Sequence, residues 1–168
     1  MSARKILIYP DPLLKTVCGP IAAIDQEIVD LIRDLVDTMR EGPGSVGVAA
    51  PQIGVTLRAC VVDVSGSRHG KDNNHGLLTL INPQFVERQG AAVMREGCMS
   101  VPDYTGDVER ATEITIRFLD CEGNAREVRA SGFEAVAIQH EVDHLDGLLF
   151  LDRIASLKTG LFRRKNYR

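Results

Sequence analysis

No long hydrophobic run occurs anywhere in this sequence. The longest apolar stretches, Leu77–Ile81 and Gly147–Leu151, fall far short of the ~20 residues a transmembrane helix needs. A membrane partner is therefore not expected. Nor is a secretory signal expected, because the first ten residues, Met1 to Pro10, hold basic side chains but only the short apolar run Ile6–Ile8. The cytoplasm is the expected compartment. The four cysteines, Cys18, Cys60, Cys98 and Cys121, lie far apart with no Cys-x-x-Cys pair. That argues against a disulfide framework and for free thiols, each taken singly a small buried hydrophobe. Tryptophan is missing altogether, and no repeat, low-complexity tract or linker divides the chain. What remains is an ordinary globular composition, 44% hydrophobic and 26% charged over 168 residues, long enough to bury its own core. One domain covering residues 1–168 is expected.

Net charge is −3, unevenly placed. Residues 158–168 hold five of the 20 basic side chains (Lys158, Arg163, Arg164, Lys165, Arg168) and no acid, which leaves a net of −8 on the rest. A basic tail on an acidic body can touch an anionic surface such as RNA. The plainer expectation is a frayed, solvated terminus.

Between Asp25 and Arg40, apolar Ile28, Leu31, Ile32, Leu35 and Met39 recur at three- and four-residue spacing among charged residues, which predicts a surface helix packing inward. Gly42-Pro43-Gly44 stops it. Arg58–Val64 and Leu77–Ile81 read as short strands, with the polar loop Ser65–Gly76 between them. Glu113–Leu119 alternates, and Glu122-Gly123-Asn124 turns it into Ala125–Ala130, a hairpin. The last long helix is the best marked. Ser131-Gly-Phe-Glu134 has the capping-box pattern, and Gly147 stands where a C-terminal glycine belongs. Phe133, Val136, Ala137, His140 and His144 share one stripe, while Ala135, Ile138, Val142 and Leu145 cover the other side. A helix apolar on both faces lies in the interior. The fold class is therefore α+β: antiparallel or mixed sheets around a central buried helix, plus one N-terminal surface helix.

That buried helix carries His140-Glu141-Val142-Asp143-His144, a His-Glu-x-x-His pattern. A separation of four sets both imidazoles on one face, one turn apart, able to meet one divalent ion. Glu141 projects to the side, placed to handle a proton without being a ligand. The alternative is two core histidines satisfied by carbonyls. Burial and Asp143, a candidate outer partner, favour the metal. A catalytic site needs a third protein ligand and an open position. The extended pattern His-Glu-x-x-His-x-x-Gly-x-x-His would end at Phe150, which cannot bind metal, and no glutamate follows His144. Asp146 is too close along the helix, and Asp152 stays open without fitting a pattern. His69 and His75 sit in the polar loop. Cys98 is better placed, within Arg95-Glu-Gly-Cys-Met-Ser-Val-Pro102, where glycine allows close backbone approach and a divalent cation would draw off the thiol proton.

Three segments together resemble the peptide deformylases: Gly47-Val-Ala-Ala-Pro-Gln52, Glu96-Gly-Cys-Met-Ser100, and the motif from His140 to His144. Pro10-Asp-Pro-Leu13 and Ile81-Asn-Pro83 add support, so the likeness runs from about residue 6 to residue 152. The resemblance implies that Cys98, His140 and His144 hold one divalent metal, iron(II) natively in many members and zinc in preparations. It implies a hydrolase of protein biosynthesis and N-terminal processing that removes the N-formyl group from formyl-methionyl nascent peptides. By that likeness a metal-bound hydroxide attacks the formyl carbon, Glu141 is general base and acid, and the Gln52 amide and Met99 N–H hold the oxyanion. Phe133, Val136 and Ala137 would line the methionine pocket. Val46, Gly47 and Gly97 would offer backbone to an extended peptide. Glu96 and Arg110 would form a structural ion pair. Ser45 departs from the family glycine, and Val48 and Met99 replace leucines. The long C-terminal helix that some members use at the ribosome is not expected after Asp152, which leaves Arg163 to Arg168 as a candidate for transient ribosome contact. Sequence-specific nucleic-acid binding is not expected. The nearest rival is a metallopeptidase cleaving ordinary peptide bonds. A further one is a binder with a structural metal, for which Glu141 would be dispensable.

Overall fold

A computed structural model describes residues 3–164. Helix α1 (Gln26–Glu41) begins where the Asp25 carboxylate accepts the Ile28 N–H at 3.1 Å, with Glu27 in its first turn and Arg40 in its last, both favourable to the helix dipole. Its buried residues are the expected stripe, joined by Val36 and Thr38.

Strands β1 (Gly47–Ala49), β2 (Ala59–Val62), β3 (Leu78–Gln89), β4 (Ala92–Cys98), β5 (Val101–Arg110), β6 (Glu113–Leu119) and β7 (Ala125–Ser131) precede helix α2 (Gly132–Leu145). A single turn, α3 (Leu157–Gly160), and strand β8 (Leu161–Arg163) follow. They form two antiparallel sheets: five strands in the order β1-β2-β3-β6-β7, and three in the order β4-β5-β8. The larger sheet is covered on both faces. Ala59 and Val61 of β2 pack with α1, whereas Cys60 and Val62 pack with α2. Two-sided burial explains why this strand is apolar without alternation. The β6–β7 hairpin turns Ile114, Ile116, Phe118 and Val128 toward α2, as its alternation predicted.

Four sequence expectations need correction. β3 does not stop at Ile81. Its register shifts between Ile81 and Gln84, and Asn82 adopts a φ of 52° while its side-chain amide bonds the Ile21 N–H and carbonyl, both at 2.8 Å. The Asn-Pro pair marks a bulge rather than an end. β4 and β5 were not expected, because their glycines, Pro102 and many charges hide a long hairpin. The capping box at α2 does not form: Ser131 is the N-cap but makes no capping bond. The Glu134 carboxylate instead accepts the His75 backbone N–H at 2.7 Å and meets its Nδ1 at 2.6 Å, pinning the polar loop. Finally, residues 161–164 are not a frayed tail. β8 pairs with β5, and the Arg164 N–H donates to the Asp103 carbonyl at 2.8 Å. Lys165 and Arg168 lie outside the described residues.

The C-terminus of α2 follows expectation. Gly147 has a φ of 75°, its N–H donates to the His144 carbonyl at 3.1 Å, and the Leu148 N–H donates to Asp143 at 2.9 Å. A Cβ there would lie 2.8 Å from the Lys15 carbonyl oxygen, so glycine is required twice over.

Candidate metal centre

β4 ends at Cys98, where the register with β5 shifts between Gly97 and Cys98. The thiol thereby turns toward α2. Its Sγ lies 3.5 Å from His144 Nε2, and one ligand atom each from Cys98, His140 and His144 falls within 4.8 Å of the others. Cys98 is 8% exposed and His144 1%, so water competes poorly for these donors. Among the described residues, no fourth side chain joins the cluster.

Outer contacts fix His140. His140 Nδ1 lies 2.9 Å from Glu96 Oε1. Burial alone would raise the Glu96 pKa, but hydrogen bonds from Arg110 and His140 outweigh it and hold this carboxylate below its ordinary value. It therefore accepts from Nδ1, which leaves Nε2 as the atom His140 can offer a metal once the ring proton there is displaced. Arg110 grips Glu96 through Nε at 2.6 Å and Nη2 at 2.9 Å, and reaches Asp143 through Nη1 at 2.8 Å. Arg153 caps the chain with 3.0 and 2.8 Å bonds to Asp143. Asp143 thus supports the centre, but through Arg110 rather than by touching a histidine. The expected Glu96–Arg110 pair is present. Sequence reading missed the Glu96–His140 bond. Glu96 and Cys98 are two apart and share a strand face, a signal visible only once β4 is recognised as a strand.

The donor set suits a cation. Burial would raise the Cys98 pKa, but the charges of His144 and His140 and their hydrogen bonds hold it well below a free thiol's. Burial likewise lowers His140, and bonds to Cys98 and Glu96 overcome it, so its pKa stands well above the ordinary value. A thiolate beside histidines is the state a soft divalent ion binds, displacing the ring proton. Two enclosed polar atoms, Glu141 Oε1 and His144 Nδ1, have no hydrogen-bond partner. Glu141 itself has its pKa raised, chiefly by burial. Gly47 makes room for it: a Cβ there would sit 2.7 Å from Glu141 Oε2.

Gln52 is oriented by its neighbours. Its Oε1 accepts the Ala49 N–H at 3.0 Å, which turns Nε2 to Ser100 Oγ at 3.1 Å and toward Cys98 Sγ at 3.5 Å. Ser45 closes the preceding turn, its Oγ donating to the Gly47 carbonyl at 3.3 Å. A cleft of about 650 Å³ opens onto the centre. Gln52, Met99, Val46, Gly47, Gly97, Phe133, Val136, Ala137, Cys98, His140 and Glu141 all line it, and His144 lies behind them. The structure thus gathers every site residue expected from the sequence. His69, whose ring centroid is 5.5 Å from that of Phe133, also reaches the rim, as do Arg95 and Arg164. These three were not expected there, since a loop histidine, a charged residue of the unrecognised strand β4 and an arginine near the C-terminus carry no local signal.

Three protein donors with an enclosed acid alongside suit a catalytic rather than a structural mononuclear site, the class of a metallohydrolase. The family model for polypeptide deformylase matches residues 3–160. A peptide deformylase of Syntrophobacter fumaroxidans is 42% identical over 165 residues, covering 98% of this chain and 94% of its own. The chain belongs to the peptide deformylase family. Among solved structures, the Ehrlichia chaffeensis peptide deformylase in complex with actinonin superposes with a TM-score of 0.87 at 34% identity, covering 94% of this chain and 92% of its own. The Met-Ala-Ser-bound class I type b enzyme of Acinetobacter baumannii gives 0.83 at 32%, covering 92% and 100%.

Proposed function

We propose that this chain, acting as one metallohydrolase domain in the cytoplasm, removes the N-formyl group from formyl-methionyl peptides and releases formate. The observation that carries this is the convergence of Cys98, His140 and His144 beside Glu141 at the floor of a cleft. The Met-Ala-Ser and actinonin complexes of its relatives support a peptide-shaped occupant.

β1 and β4 each end their sheet, so two free strand edges flank the cleft. An extended peptide can add to those edges through Val46, Gly47 and Gly97, with its methionine side chain against Phe133, Val136 and Ala137. Gln52 Nε2 and the Met99 N–H would donate to the formyl oxygen as negative charge grows on it. Bound at Cys98, His140 and His144, a divalent ion supplies Lewis acidity and a nucleophile from water at neutral pH. Glu141 takes the proton from the attacking water and delivers it to the leaving amine, a task suited to a carboxylate whose pKa burial has raised. Iron(II) is assigned as the native ion; zinc suits the same donors. Metal analysis of anaerobically purified protein alongside turnover tests that assignment.

Formate release from a formyl-Met tripeptide, measured against cleavage of its internal bonds, separates this reading from a metallopeptidase. Formate alone is expected; internal cleavage would reverse the conclusion. The basic tail is assigned a transient contact with ribosomal RNA. Replacing Lys165 and Arg168 by glutamate should weaken co-sedimentation with ribosomes, and unchanged co-sedimentation would remove that contact.

A further inference from the structure

One wall of the cleft carries arginines that the reaction does not use. Register sets Gly97 beside Thr105 and Thr105 beside Phe162, with Arg95 beside Asp107 in the next row. Alternation then puts Arg95, Gly97, Thr105, Phe162 and Arg164 on one face of the smaller sheet. The Arg164 side chain crosses that face to Gly97, where an added Cβ would lie 2.5 Å from its Nη2. The two arginines differ in how they are held. Arg95 donates to Asp107 at 2.8 Å and lies 3.6 Å over the Phe162 ring. Arg164 Nε is buried with no partner, and among the described residues no carboxylate pairs with its guanidinium. A guanidinium with an unmet donor and no carboxylate partner, beside a free strand edge, is suited to receive an anion.

A peptide added to the edge of β4 alternates its side chains, so positions beyond the methionine present themselves to this wall. Resting on the deformylase reading, we propose that Arg164, with Arg95 beside it, forms a carboxylate-binding subsite for the substrate beyond formyl-methionine. The carboxylate comes from an acidic second or third residue, or from the end of a short peptide. The C-terminal strand thereby sets sequence preference.

The test compares kcat/KM within matched pairs: formyl-Met-Ala-Glu against formyl-Met-Ala-Gln, and formyl-Met-Glu-Ala against formyl-Met-Gln-Ala, all as C-terminal amides. A third pair sets formyl-Met-Ala-Ala free acid against its amide, which separates a side-chain carboxylate from a terminal one. Wild type should favour the carboxylate in at least one pair by roughly three- to tenfold. R164Q should abolish that ratio, R164K should keep most of it, and R164E should invert it. A ratio within one variant is insensitive to any loss of folded protein. Ratios of unity in every wild-type pair, or a preference that survives R164Q, would overturn the subsite. Absence of formate from all the peptides would instead sink the deformylase reading, and this proposal with it.

Discussion

Replacing Gly47 by alanine adds one methyl group to the strand edge that faces Glu141. That Cβ would stand 2.7 Å from Oε2, 2.8 Å from Cγ and 2.9 Å from Cδ of the same side chain. Ordinary contact begins near 3.4 Å, so the carboxylate must retreat by about 0.7 Å. Glu141 is 4% exposed, and the retreat is confined by the packing around α2. Overpacking of this kind costs about 1–3 kcal/mol of stability. The larger effect falls on rate, because an acid–base group displaced by the better part of an ångström loses on the order of 100-fold in turnover. The three atoms nearest the new methyl all belong to Glu141 and none to a metal donor, so metal content should stay at one ion per chain. The assay is formate release at saturating formyl-Met peptide, with metal analysis and a melting curve on the same sample. Wild-type turnover at full metal content would refute the placement of Glu141 against Gly47 as the determinant of proton transfer.

Two further outcomes follow from the same contacts. Glu141→Ala should keep its metal and lose roughly 10²–10⁴-fold in turnover, a loss that a purely structural metal site would not show. Burial raises the Asp143 pKa, but bonds from Arg153 and the charge of Arg110 outweigh it and hold it below the ordinary 3.8. A depressed pKa stabilises the fold above the unfolded value and loses that contribution as pH falls through the folded one. The melting-temperature gap between metal-free wild type and Asp143→Asn should therefore be constant near neutrality and close below about pH 4. A gap that persists to lower pH would show that the Arg110–Asp143–Arg153 chain does not act through charge.

The sequence showed the helices well and the strands unevenly, for physical reasons. α1 and α2 were legible because one stripe repeats at helical spacing and both ends carry stop or cap residues. β2 was legible from its apolar run, and the β6–β7 hairpin from its alternation and turn residues. β4 and β5 were not, since a strand at a cleft edge carries the glycines, charges and proline that otherwise signal a loop. The residues that gather at the candidate site were nearly all named from the sequence, because His140 to His144 and Cys98 bring their own chemistry. What escaped were contacts between distant segments: Glu96 on His140, Glu134 on His75, and Arg164 over Gly97. The capping box failed for the same reason, as Glu134 found a better partner in the loop than in its own helix.

X-ray absorption at the metal edge of the anaerobically loaded protein measures the centre itself. Its fine structure should show one sulfur at roughly 2.3 Å and two imidazole nitrogens near 2.0–2.1 Å for zinc, with a light oxygen completing the shell, and Cys98→Ala should remove the sulfur. A shell without sulfur, or one closed by a fourth protein side chain, would contradict the account.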